Sequence, residues 1–213
     1  AQEAAIVAEL QAVLKQSGRI VFNGDGYSED WAQVAESRGL PNIRTTPEAV
    51  AALNQAWVGE LFHRTGVLSD SELQARANVL LDNYVADLST EAQLMEELSQ
   101  THVLPAAVAY QQRLTALVDS YDDLDMDDAA ADLRELVTEV AGHMQALRRG
   151  IEQVRASREA ADAEADLQAR ARRYAEEVKP AFEQIRAASD ALEGLVDDAL
   201  WPLPKYREML FVR

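Results

Sequence analysis

The side chains in this chain best able to do chemistry are three histidines, a run of aspartates and a glycine-rich loop. His63, His102 and His143 are the groups that titrate near neutrality and ligate metals. None belongs to an HExxH pair or stands beside a second ligand in sequence. His63 falls near a predicted helix end, where a positive imidazole is favourable, and His102 and His143 flank apolar ladders. All three are expected at the surface or in packing. Asp122, Asp123, Asp125, Asp127 and Asp128 invite a calcium reading, since counting from Asp123 puts aspartates at loop positions one, three and five. The sixth position is Asp128 where that loop requires glycine, and the twelfth is Arg134 where it requires glutamate. The cluster is therefore expected to cap a helix start and complement its dipole.

Asn23-Gly24-Asp25-Gly26-Tyr27 lies between an apolar run and a helix start, where a phosphate loop would sit. It has neither GxGxxG nor the GxxxxGK[ST] lysine, and Asp25, Glu29 and Asp30 would repel a phosphate. A structural turn is the expectation. The remaining carboxylates are interleaved with arginine at helical spacing, as in Arg134/Glu135/Glu139 and Arg172/Arg173/Glu176/Glu177, the pattern of solvated helix faces. No catalytic, cofactor-binding or metal-binding residue is assigned.

The elements that would position such groups are helices. Only 6% of the 213 residues are aromatic, 48% are hydrophobic and alanine is abundant, which points to an all-α chain. Twenty Lys and Arg against 37 Asp and Glu give a formal charge of −17, which argues against nucleic acid and anionic membranes as partners. The absence of cysteine removes disulfides and thiolate metal sites. No apolar run reaches the roughly 18 to 20 residues that cross a bilayer, and the first residues lack a signal-peptide pattern, so a cytoplasmic protein is expected. The start at AQEAAIVAEL, without methionine, suggests a fragment of something longer.

A helix is predicted from about Glu3 to Lys15, with Ile6, Leu10, Val13 and Leu14 on one face and Ser17-Gly18 as its stop. Arg19-Ile20-Val21-Phe22 has strand character but no visible partner. Ser28 is the expected N-cap of a helix through Trp31 and Val34 to Arg38, ended by Gly39. Thr46 as N-cap and Pro47 at the first position predict a single helix to Gly66, with Val50, Leu53, Trp57, Leu61 and Phe62 lining one face. Ser69 and Glu72 form a capping box, opening a helix to about Thr101. The pattern resumes beyond Pro105, where a kink or short break is predicted.

Leu133, Val137, Val140, Met144, Leu147, Ile151 and Val154 follow at alternating spacings of four and three, a heptad seam on a helix starting near Asp127. Beyond Val154 the seam falls to Arg158, Ala161 and Ala165. Val178, Phe182, Ile185, Leu192, Val196 and Ala199 form a second ladder, interrupted only at Ser189. A reversal within SREAADAE lets the two bury each other in one chain. The returning helix is expected from about Asp166 to Ala199 with a kink at Pro180. Trp201 to Tyr206, with Leu210 and Phe211, reads as a tail docked on a surface.

Arg19 to Trp31 (RIVFNGDGYSEDW), Glu36-Ser37-Arg38-Gly39-Leu40 and Thr45-Thr46-Pro47-Glu48-Ala49 resemble the segment just after the catalytic core of type III glutamine synthetases. Gly66-Val67-Leu68-Ser69 with Glu72, Leu73 and Arg76, Asn83-Tyr84, Leu104-Pro105-Ala106 and the Trp201 to Tyr206 tail with Leu210-Phe211 are similar to the same family in the same order. The first helix resembles the last helix leaving that core. The resemblance implies the carboxy-terminal region of an ATP-dependent glutamate–ammonia ligase that works through γ-glutamyl phosphate and two divalent metals. It places the metal, nucleotide and phosphate ligands upstream, so this chain holds none of them. Its implied partners are the catalytic core of the same polypeptide and neighbouring subunits of a ring-based homo-oligomer.

The expected organisation is a linker helix and small lobe with the glycine-rich turn (1–68), a bundle of long antiparallel helices (69–200) and a docking tail (201–213). The expected role is structural, in oligomerisation, with no catalysis by the chain alone. The alternative is a free-standing helical interaction module whose seam pairs with a partner's helix.

Overall fold

The computed structural model describes residues 2–18, 21–204 and 206–210, which are helices, turns and irregular chain without strands. It divides into two compact units, Ala1–Thr45 and Thr46–Arg213.

In the first unit α1 spans Gln2–Ser17, and its Ile6, Val7, Leu10, Val13 and Leu14 are all exposed. The expected strand does not form: Val21 and Phe22 are irregular, and Arg19 and Ile20 lie outside the described residues. With no neighbouring strand to pair with, Phe22 instead stacks on Trp31 with ring centroids 4.4 Å apart, and Arg38 sits 5.9 Å over the Trp31 ring. Arg38 Nη1 also donates to the Val21 carbonyl at 2.7 Å, tying the irregular chain to α2 (Glu29–Ser37). Ser28 holds the N-cap position of α2 in an extended conformation, but its hydroxyl donates backward to the Asp25 carbonyl at 2.8 Å. Glu29 and Asp30 are left to complement the helix dipole.

The second unit begins at Thr46. The helix expected from Thr46 to Gly66 is two helices, α3 (Thr46–Leu53) and α4 (Ala56–Thr65), and Thr46 belongs to the first of them. Gln55 is extended between them (φ −71°, ψ 142°), and its amide oxygen accepts from Trp57 Nε1 at 2.6 Å. The break rotates the two faces apart, so Val50 and Val58 are buried while Trp57 and Leu61 are exposed. Gly66 ends α4 in the left-handed region at φ 65°.

Helix α5 (Asp70–Leu98) begins with the capping box, Ser69 Oγ accepting from the Glu72 N–H at 3.3 Å and Glu72 Oε2 accepting from the Ser69 N–H at 2.8 Å. It runs through a π-helical turn, Ser99–Val103, into α6 (Leu104–Asp123). Pro105 therefore breaks nothing. Its missing N–H and ring are accommodated by the wide turn immediately before it. The same solution recurs at Pro180, where α8 (Leu167–Arg173) passes through a π turn at Tyr174–Val178 into α9 (Lys179–Leu195).

Between these two rods lies α7 (Asp127–Asp162), 36 residues and about 54 Å long at about 1.5 Å per residue. Its partners run backward along the first rod: Arg134 meets Asp122, the Val137 carbonyl meets Gln111, and Arg155 and Arg158 meet Glu96. They run backward along the second as well, with Asp162 against Tyr174 and Gly150 against Ile185. The long helices are thus antiparallel, and both ladders are interior: Val140, Leu147, Ile151 and Val154 share one core with Val178, Ile185, Leu192 and Val196. α6 closes that core with Ala107 and Leu114. A smaller core of Val50, Ala77, Leu81 and Ala171 joins α3, α5 and α8, reinforced by Gln168 Nε2 donating to the Pro47 carbonyl at 2.8 Å.

The reversal falls where expected, with Asp166 accepting from the Ala169 N–H at 2.8 Å to start α8. The returning helix stops earlier than expected, at Leu195. Val196 turns extended (ψ 139°), and Asp197 Oδ1 accepts from the Ala199 N–H at 2.9 Å, so Ala199 is exposed rather than in the ladder. Trp201 is buried and Leu203 packs against the main core. Leu210, beyond the short α10 (Tyr206–Met209), is exposed instead, and Phe211 lies outside the described residues. Among the described residues no helix is long and apolar enough to cross a membrane.

Candidate functional site

The groups singled out in the sequence do not converge. His63 is exposed near the end of α4, His102 shares a 2.7 Å hydrogen bond with Thr101 Oγ in the first π turn, and His143 lies 3.9 Å from Glu139 on the same helix. In the aspartate run, Asp127 and Asp128 occupy the first turn of α7 as dipole partners, but the N-cap position is Met126 and no side chain caps it. Asp122 is held by Arg134 through Nη2 at 2.5 and 2.6 Å to its two oxygens. Among the described residues no three His, Asp or Glu side chains are grouped as metal ligands would be.

The glycine loop is built by its aspartate. Asp25 Oδ1 accepts from the Tyr27 N–H at 2.9 Å, and its carbonyl accepts from Ser28. A Cβ on Gly24 would lie 2.5 Å from the tip of the Phe22 ring, so a larger residue there would push that ring from its place beside Trp31. The loop is a structural turn in which Asp25 already takes up the Tyr27 N–H.

The polar arrangement the sequence reading missed lies inside the bundle. Glu96 of α5 is only 8% exposed, accepting from Arg155 Nε at 3.1 Å and from Arg158 Nε and Nη2 at 3.3 Å. Arg158 continues to Asp162 at 3.8 Å, and Asp162 Oδ1 accepts from the fully buried Tyr174 hydroxyl at 2.6 Å. Burial is the largest cause raising the Tyr174 pKa above 10.0. Its bond to Asp162 pushes the same way, while a bond to Ser89 and the charge of Arg158 oppose. One signal of this layer was present in the sequence: the seam passes from Val154 to Arg158, and Glu96 falls in register with the buried Leu88 and Ala92. A buried carboxylate needs partners, and arginines are the forks that fit it.

Glu96, Arg158, Asp162 and Tyr174 are each bound to another member of this layer, so its chemistry is that of a lock between α5, α7 and the second π turn. The molecule is a helical scaffold whose polar interior holds its own helices in register. A profile of the glutamine synthetase C-terminal domain matches residues 5–122, and the chain belongs to that family. It is 32% identical along its whole length to a glutamine synthetase of Bacteroides fragilis, covering 30% of that protein. It is 34% identical over 96% of its length to the type-3 glutamine synthetase of Dictyostelium discoideum, covering 28% of it. Identity to a glutamine synthetase of Butyrivibrio fibrisolvens is 28% over 95% of the chain and 29% of the relative. The chain therefore spans less than a third of the length of the curated relatives it matches, at their C-terminal end.

Proposed function

We propose that this chain is the non-catalytic C-terminal domain of a cytoplasmic, ATP-dependent glutamate–ammonia ligase, and that it packs on the catalytic core and builds contacts between subunits of a homo-oligomer. The ATP and divalent metals of that reaction would be held by the remainder of the enzyme. The observation that carries the structural role is α1: five large apolar side chains, Ile6, Val7, Leu10, Val13 and Leu14, are exposed on a helix of 16 residues. A helix of that kind is stabilised by burying its apolar side chains against another body. In this reading the long helices of 69–200 form a rigid arm, 1–68 connects it to the core, and 201–213 secures its end. A free-standing module using the α7 seam is disfavoured, because the seam is buried against α9 and α6 of the same chain.

Removing residues 1–213 from the full-length enzyme should shrink the assembly seen by sedimentation, and an unchanged sedimentation coefficient would overturn the structural role. The isolated chain should form no glutamine from glutamate, ammonia and ATP. Measurable formation would overturn the non-catalytic assignment.

A further inference from the structure

The glycine loop holds two dipeptides of the kind that rearrange without an enzyme, Asn23-Gly24 and Asp25-Gly26. In each, a side-chain carbonyl carbon stands one residue before a glycine nitrogen, and the missing Cβ lets that nitrogen approach it. The other asparagines, Asn42, Asn54, Asn78 and Asn83, precede larger residues, and the last two are also held within α5. The structure treats the two dipeptides differently. Asp25 Oδ1 accepts from the Tyr27 N–H at 2.9 Å, and the Asp25 carbonyl accepts from the Ser28 hydroxyl at 2.8 Å and the Ser28 N–H at 3.2 Å. Both the carboxylate and the backbone of Asp25 are therefore fixed. Asn23 is exposed in irregular chain, and among the described residues no hydrogen bond engages its side-chain amide or the Gly24 N–H.

We propose that Asn23 is a covalent modification site, deamidated by attack of the Gly24 nitrogen on its Cγ, while Asp25 in the same loop is protected. The N–Cγ bond forms, the Cγ–Nδ2 bond breaks, and the side-chain nitrogen leaves as ammonia with the proton that the Gly24 nitrogen gives up. Water then opens the cyclic imide. Opening at Cγ leaves aspartate, and opening at the main-chain carbonyl leaves isoaspartate, each adding one negative charge to the −17 of the chain. Isoaspartate also adds one main-chain atom between Phe22 and Gly24, where the packing is tight. The tip of the Phe22 ring lies 2.5 Å from the point a Gly24 Cβ would occupy, and the same ring stacks on Trp31 at 4.4 Å. The lengthened chain carries Gly24 away from that ring, so the reaction loosens the contact that joins the loop to α2.

The test incubates the full-length enzyme at mildly alkaline pH, folded and in urea, and follows the peptide 20–38 released by cleavage after arginine. Mass spectrometry should show that peptide gaining about 1 Da as its amide becomes a carboxylate. Fragmentation that separates isoaspartate from aspartate should place both products at position 23, formed in the folded enzyme about as fast as in urea. Position 25 should remain aspartate in the folded enzyme and isomerise at least about tenfold faster in urea, where its bond to the Tyr27 N–H is lost. Asn23→Gln, which would have to close a larger ring, should abolish the mass gain. An Asn23 that persists in the folded enzyme, whatever it does in urea, would overturn the modification site. Isoaspartate forming at position 25 as fast in the folded enzyme as in urea would overturn the protection of Asp25.

Discussion

The phenol of Tyr174 donates to Asp162 Oδ1 at 2.6 Å across the reversal between α7 and α8, so side chains from both sides close the hairpin. Because Tyr174 is fully buried, its hydroxyl is closed to water and depends on partners within the protein.

The bond predicts an alkaline dependence of stability. Burial first, then Asp162, raises the folded-state pKa of Tyr174 above the ordinary 10.0. The stabilisation is therefore fully present below about pH 10 and is lost as the pH rises through the folded value. Tyr174→Phe should cost about 1 kcal/mol at neutral pH and flatten the loss of stability above about pH 10, read by urea unfolding. Tyr84, also raised by burial and by Glu91, leaves a residual slope. Identical alkaline slopes in both proteins would contradict the assignment.

Removing Glu96 should be unequal to removing either arginine. The arginine side chains are 45% (Arg155) and 20% (Arg158) exposed, against 11% for Glu96. Arg155→Ala should cost less than about 1 kcal/mol, as for a half-solvated pair. Glu96→Ala should cost about 2–3 kcal/mol, because it leaves Arg158 with only its 3.8 Å pair to Asp162 and opens a gap between α5 and α7. A double-mutant cycle on Glu96 and Arg158 should give a coupling of about 1–2 kcal/mol. Additive losses would exclude a shared interaction.

Two glycines of α7 should respond in opposite directions to alanine. A Cβ on Gly150 would lie 2.9 Å from Ile185 Cγ1 and 3.2 Å from the Ile185 backbone nitrogen, so α9 would have to withdraw. Gly150→Ala should lower stability by about 1–2 kcal/mol despite alanine's better helix propensity. Nothing lies within 4 Å of a Cβ at Gly142, so Gly142→Ala should raise stability by up to about 1 kcal/mol. Thermal unfolding of the two variants measures both signs.

The capping box predicts an acid-side effect. The backbone and hydroxyl bonds from Ser69 lower the Glu72 pKa below 4.5. Its stabilisation is present above that value and is lost as the pH falls through the folded one. Ser69→Ala should cost about 1 kcal/mol at neutral pH. Glu72→Gln should reduce the acid loss of helicity at the start of α5, seen by hydrogen exchange there. An unaltered exchange profile below about pH 4.5 would count against the box.

What sequence could disclose here followed from the range of the interactions involved. The capping box, the Gly66 stop and the α7–α9 ladders as far as Val196 depend on residues close in sequence or on one regular period, and each stands where it was expected. The Glu96 layer depends on residues from three elements, so Arg158 looked like a weakening of the seam when it is the point where α5 binds α7. The break at Asn54-Gln55 was hidden because Val50, Leu53, Trp57 and Leu61 fit one helical stripe, although the fold buries Val50 and Val58 and exposes Trp57 and Leu61. The early end of α9 turns on the side chain of Asp197, a local competitor with the backbone that an apolar ladder does not reveal.

The wide turns at Ser99–Val103 and Tyr174–Val178 have a consequence for how these rods are read. A π turn accommodates one residue more than an α turn, which advances the downstream side chains by about 100° of wheel phase. A helical wheel drawn straight through Ser99 would thus assign the residues of α6 to the wrong side. The prolines that follow mark where the count must be restarted. Deleting a single residue from either turn would close it to an α turn, keep the downstream half of the rod seated in the core, and bring the ring of Pro105 or Pro180 against the preceding turn.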